Sequence, residues 1–170
     1  MAYNYLGLSN DIATRLNETH LTSSNFATAG GFYNAIKESV NSSIRHINQA
    51  HFSWPFNHNS EEETLEAGIT RYPFPAEAKY IDFDTFRVKR DDALDLGEAR
   101  HLSQISYDEY INKHIRQEDE TDTTLGSVPE HVFRAQNNEW GVVPFPDKAY
   151  TVEFEYFNFP VDLAIQSDVP

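Results

Sequence analysis

The chain has 170 residues, 39% of them hydrophobic and 14% aromatic, enough to fill one or two compact units. It contains no cysteine, which excludes disulfides, cysteine-based zinc sites and thiol nucleophiles and suits a reducing compartment. Its 27 acidic residues against 13 basic ones leave a net charge of −14, the wrong sign for gripping DNA through its phosphates.

In chain order, the first fifty residues read as helical. Ser9 or Asn10 is placed to cap a short helix through Ile12 and Leu16. Residues 19–28 are small and polar and read as a loop. After Gly30-Gly31, Phe32, Ile36, Val40, Ile44 and Ile47 recur at steps of four, four, four and three, one apolar stripe on a helix. His51-Phe52-Ser53-Trp54 reads as a strand ended by Pro55. Residues 63–65 and 71–74 read as a hairpin around Glu66-Ala67-Gly68-Ile69. Residues 80–89 alternate until a phase break near Thr85-Phe86, which predicts a bulge or a short helical turn. Residues 91–97 read as a turn and 101–105 as a short strand. Ser106 caps the next helix, with Tyr107, Tyr110, Ile111 and Ile115, and Glu109 stands three residues on as capping-box partner.

Residues 117–126 are acidic and threonine-rich and read as a mobile loop, with Glu118, Asp119, Glu120 and Asp122 as its charges. A hairpin follows: residues 132–135 pair with 140–143 across Gln136-Asn137-Asn138-Glu139. Pro144-Phe145-Pro146-Asp147 then turns the chain into a strand of strict alternation, in which Tyr150, Val152, Phe154 and Tyr156 share one face, and Thr151, Glu153 and Glu155 the other. The pattern predicts an α+β fold: N-terminal helices packed with an antiparallel β-sandwich-like domain of about seven strands carrying one inserted helix. The expected divisions are a helical domain 1–50, a β-rich domain 51–159 with its helix near 106–117, and a tail 160–170 returning to the helical part.

No apolar run approaches the roughly 18 residues of a membrane-spanning helix. The first residues, Met1-Ala2-Tyr3-Asn4-Tyr5, lack a basic n-region and an apolar h-region. No nucleophile elbow, P-loop, zinc-protease helix or dinucleotide fingerprint occurs, and no catalytic residue, metal ligand or cofactor is expected. His46, His51 and His58 do not have metal-ligand spacing, and the acids from Asp119 onward lack the glycine and glutamate of a calcium loop.

Several motifs occur in an order that resembles the adaptor, or tail tubular protein A, family of tailed bacteriophages. They are Trp54-Pro55-Phe56, Glu63-Thr64, Gly68, Tyr72-Pro73-Phe74-Pro75, Asp82 and Phe86. After them come Ile105-Ser106-Tyr107-Asp108-Glu109-Tyr110, Pro129, the block from Val143 to Tyr156, and Ser167-Asp168-Val169-Pro170. The family continues past this last motif into further helix, so the resemblance implies a short, processed or partial product. It also implies a structural, non-enzymatic protein of the virion neck, assembled in the host cytoplasm. Its implied partners are its own copies in a dodecameric ring, the portal protein, a tail nozzle or tail tube protein, and double-stranded DNA that passes without specific binding. An acidic wall suits such a channel because it repels phosphates. On this reading the stripe Phe32, Ile36, Val40, Ile44 and Ile47 packs partly within the subunit and partly against a neighbour. The acids Glu118, Asp119, Glu120 and Asp122 offer a docking segment. The alternative is a carbohydrate-binding sandwich module using Trp54 or Trp140 as a stacking platform.

Overall fold

The computed structural model describes residues 3–51, 53–89, 100–119 and 125–170. The chain divides into two compact units, Met1–Trp54 with Phe159–Pro170, and Pro55–Asn158.

In the first unit, α1 spans Tyr5–Arg15 and α2 spans Phe32–Ala50. The helix α1 begins earlier than Ser9. Asn4 is its N-cap, and its side chain accepts from Gly7 N at 2.9 Å. Ser9 lies inside the helix, fully buried, and its Oγ has no partner. Nothing in residues 4–9 distinguishes an asparagine cap from a serine cap except the helical face that must turn inward. Tyr5, Leu21, Phe26, Val40 and Leu163 form the core of the unit, so the polar loop between the helices contributes two core residues. Asn10 fastens that loop: its Oδ1 accepts from Leu21 N at 2.7 Å and its Nδ2 donates to Leu21 O at 2.9 Å.

The second unit opens with a 3-10 turn, Pro55–Asn57. Of the predicted strand at 51–54, residues 51, 53 and 54 are irregular, and Phe52 lies outside the described residues. Trp54 spends its indole N–H on Ile47 O at 2.9 Å instead of joining a ladder.

Eight strands follow among the described residues, in two sheets: β1 (His58–Leu65), β2 (Arg71–Pro73), β3 (Ala78–Val88), β4 (Arg100–His101), β5 (Ser103–Ile105), β6 (His131–Arg134), β7 (Glu139–Val143) and β8 (Tyr150–Asn158). The first sheet runs β1-β8-β3-β4 and the second β2-β7-β6-β5. The α+β class is as expected. One pairing departs from the antiparallel expectation, because β5 runs parallel to β6.

The expected hairpin between residues 63–65 and 71–74 does not form. All eight residues of β1 pair with β8, whereas β2 pairs with β7 in the other sheet. Residues 66–70 carry the chain across. Tyr72 holds the crossing, its hydroxyl accepting from Glu66 N at 2.9 Å and donating to Ile69 O at 3.1 Å. The expected strand at 101–105 is likewise two short strands, one in each sheet, with fully buried Leu102 between them. In both places an apolar residue is drawn into the space between the sheets, and local alternation cannot register that.

The phase break in β3 is a bulge, with the register to β8 shifting between Asp82 and Arg87. Thr85 fills the gap in the ladder: its Oγ1 donates to Asp82 O at 2.7 Å and accepts from Glu155 N at 2.9 Å. Phe83 and Phe86 can then both face inward although three positions apart. They join Trp140, Val142, Tyr150, Val152, Phe154 and Tyr156 in the core between the sheets.

The predicted hairpin β6–β7 is present, with Val132 opposite Val142 and a turn in which Asn137 and Asn138 both have positive φ, 60° and 57°. Ser106 caps α3 (Tyr107–Lys113), accepting from Glu109 N at 3.1 Å. The other half of the expected capping box is absent, because Glu109 bonds Lys113 at 2.6 Å. The Val143–Pro144 peptide is cis. The expected turn at 91–97 lies outside the described residues.

Candidate interaction surfaces

The apolar stripe of α2 divides into an inner and an outer part. Ile36 and Val40 are buried, and Ile44 packs half-buried against the core of its unit. Phe32 at one end keeps 48% of its surface exposed, and Ile47 at the other keeps 50%. The middle of the stripe therefore holds the subunit together while the ends remain available.

The C-terminal residues are held in the same unit mainly by polar bonds. Asn41 makes a reciprocal pair with the backbone of Leu163: its Nδ2 donates to Leu163 O at 3.1 Å and its Oδ1 accepts from Leu163 N at 3.0 Å. Arg45 grips Asp162 through two bonds, at 2.8 and 2.9 Å. That contact lowers the Asp162 carboxyl below its ordinary range and raises the Arg45 guanidinium. The backbone of α1 adds Tyr5 N to Asp168 O at 2.8 Å and Leu6 N to Gln166 O at 3.1 Å. Only Leu163 is buried here among the large apolar residues. Phe159, Val161, Ile165 and Val169 are exposed. Val161 and Ile165 carry no periodic signal in the sequence that would mark them as exposed.

Beside this segment lie two concavities. One, of about 480 Å³, is lined by residues that include Phe26, Lys37 and Leu163. The other, of about 310 Å³, includes Phe26, Ile165 and Gln166. Lys37 is already satisfied there, donating to Phe26 O at 3.0 Å and Ala29 O at 3.1 Å.

In the second unit the acids expected in a mobile loop meet a different fate. A 3-10 turn covers Ile115–Asp119, and Glu118 accepts from both Arg71 and Tyr110. Burial raises the Tyr110 hydroxyl above its ordinary value, and the Glu118 carboxylate adds to the effect. Tyr110 stacks on Phe133 with ring centroids 3.8 Å apart, so α3, β2 and β6 share one cluster around Glu118. The composition of residues 117–126 pointed to solvent, but a single carboxylate with a fixed arginine and tyrosine in reach orders its end. Glu120 and Asp122 lie outside the described residues, as does the side chain of Asp119.

Trp140 is fully buried, stacked on Tyr72 at 5.0 Å and tilted against Phe86 and Phe154. It is a core residue and cannot be a sugar platform. Among the described residues no group of three or more His, Asp or Glu is placed to hold a metal ion. His58 instead meets Glu155 at 2.8 Å. No helix among the described residues is long and apolar enough to cross a membrane.

Residues 3–170 match the family described as SU10 adaptor protein. The chain belongs to the SU10 adaptor family. This is a family of phage adaptors, which makes the protein a structural component of a bacteriophage virion acting at the head–tail junction. No curated protein matches the chain. Adaptor membership associates the protein with portal and tail proteins and with the neck of the virion.

Proposed function

We propose that copies of this SU10 adaptor form a closed ring between the portal and the tail nozzle or tail tube, and that the genome passes through it. The role is mechanical and involves no catalytic step. The ring is a dodecamer, as the resemblance to tail tubular protein A implies, and it assembles in the host cytoplasm. One observation carries the reading: the helical unit leaves Phe32 and Ile47 at the ends of α2 exposed, together with Phe159, Val161, Ile165 and Val169. Single exposed apolar residues are ordinary, but these six, with Tyr3 and Leu16 exposed on the same small unit, suit burial against neighbours.

The net charge of −14 supports the channel. A wall rich in carboxylates does not hold phosphates, so the duplex slides. Residues 118–122 dock against an adjacent subunit or the nozzle in this reading, with Glu118 anchoring the segment at its start.

The test is mass photometry and negative-stain imaging of the purified protein, alone and mixed with purified portal. Rings, or portals decorated at one end, are the expected result. Portals that remain bare at micromolar adaptor would overturn the proposal.

A further inference from the structure

The strand β1 is an open edge of the first sheet, and its chemistry selects what can close it. Only β8 pairs with it among the described residues, along all eight positions. The direction of its free backbone groups follows from β8. Thr151 O accepts from Lys89 N, and Glu155 N donates to Thr85 Oγ1, so the odd-numbered residues of β8 face β3. Alternation then turns Tyr150, Val152 and Phe154 toward Leu65, Glu63 and Glu61. The backbone groups of His58, Ser60, Glu62 and Thr64 are left pointing out of the sheet, and all four residues are exposed. A concavity of about 280 Å³, lined by His58, Asn59, Ser60 and Glu155, opens beside this edge.

Pairing with the same edge of a second copy is disfavoured. An antiparallel β1–β1 contact sets Glu61-Glu62-Glu63 against itself, with like charges directly opposite. The other sheet edges, β2, β4 and β5, have only two or three residues and cannot cover eight. The acids thus guard the edge against self-association, a usual device on long edge strands. They also leave a charge to be met. Glu62 is paired with Lys89 at 2.6 Å, but neither Glu61 nor Glu63 has an ion-pair partner among the described residues.

We propose that β1 is a docking edge for an extended, basic segment of a partner protein, added to the sheet as a further strand. The segment bonds the outward backbone groups of Ser60, Glu62 and Thr64. Its lysines or arginines at alternate positions meet Glu61 and Glu63. A side chain near its end enters the concavity beside Ser60. The inference is independent of the ring, because it concerns the second unit and can be read on the free protein.

The probe is a fluorescent peptide of the same length as β1 with alternating lysine and valine, compared with its glutamate–valine counterpart. Hydrogen exchange at the amides of residues 60–64 reports the binding site. The lysine peptide is expected to bind and to slow exchange at Ser60, Glu62 and Thr64, and the glutamate peptide is not. Ser60→Pro removes an outward N–H without touching the bonds to β8, and should weaken binding at least about tenfold. Glu61→Lys with Glu63→Lys should reverse the preference between the peptides while the second unit stays folded. Equal binding of both peptides, undiminished binding by Ser60→Pro, or no protection of these amides at millimolar lysine peptide would each overturn the proposal.

Discussion

At the scale of single residues, the decisive positions are those where two backbones or two rings come unusually close. Gly141 in β7 is one. A Cβ there would lie 2.7 Å from Thr70 O and closer still to the ring of Phe133. The second sheet closes only because this residue has no side chain, since Thr70 O accepts from Val142 N at 2.9 Å across the same gap. We expect Gly141→Ala to cost at least about 2 kcal/mol, the size of an overpacked core. A urea midpoint unchanged from the parent would refute the tight approach.

Tyr72 is the other such residue. Burial pushes its hydroxyl from 10.0 up to about 12. The unfolded chain releases that proton near pH 10 and the folded chain holds it until about 12, so the folded state binds more protons in between. Stability is therefore complete below pH 10 and falls as pH rises toward 12, by up to roughly 2–3 kcal/mol from this residue. Denaturant titrations from pH 9 to 12 should show the decline, and Tyr72→Phe should make it shallower. An identical slope in the variant would rule out Tyr72 as a contributor.

At the scale of elements, the two faces of a strand explain why some patterns are readable and others not. The strand β8 alternates strictly because one of its faces meets the core and the other carries Thr151, Glu153 and Glu155. By contrast β7 is buried from Trp140 to Val143 on both faces, with the first sheet on one side and α3 on the other. A strand covered on both faces loses its alternation. The helix α2 shows a mixture, its stripe buried at Ile36 and Val40 and open at Phe32 and Ile47. Val40→Asp would place a carboxylate in the apolar cluster of Tyr5, Phe26 and Leu163, where Lys37 is already committed to Phe26 O and Ala29 O. We expect a loss of several kcal/mol, on the order of burying an unpaired polar or charged group. Thermal melts should fall by roughly 2–4 °C for each kcal/mol. A melt equal to the parent's, together with normal portal decoration, would refute the packing of this helix.

At the scale of the whole molecule, charge governs which macromolecules the protein tolerates. With 27 acids and 13 bases it should not bind fluorescent duplex DNA at about 0.15 M salt, where screening acts over about 8 Å. Micromolar affinity under those conditions would count against a channel that lets DNA slide. Family membership gives a phage head–tail adaptor, and the charge adds that such a component has little means of holding phosphates. The same acids have local tasks. Glu118 ties α3 to β2, Glu153 pairs with Arg87 and Glu155 with His58, so the surplus is partly structural.

Local periodicity by itself determined α2, the phase break in β3, the hairpin β6–β7 and the alternation of β8. Each of these depends on residues within one or two turns of each other. The α+β class follows from their sum, and the family from the order of the proline-aromatic motifs. Only the tertiary structure decided that β1 and β2 belong to different sheets. The choice of sheet is made by partners far along the chain, with Tyr150 opposite Leu65 and Trp140 opposite Tyr72. It also decided that Trp140 is core and not surface, because burial of a tryptophan depends on what covers it. The open edge of β1 was invisible for the same reason: a run of three glutamates reads as solvated charge until the sheet order places β1 at an end, with no further strand beyond it among the described residues. Sequence patterns record which way a side chain faces. Which strand, if any, stands next to it is settled by long-range pairing.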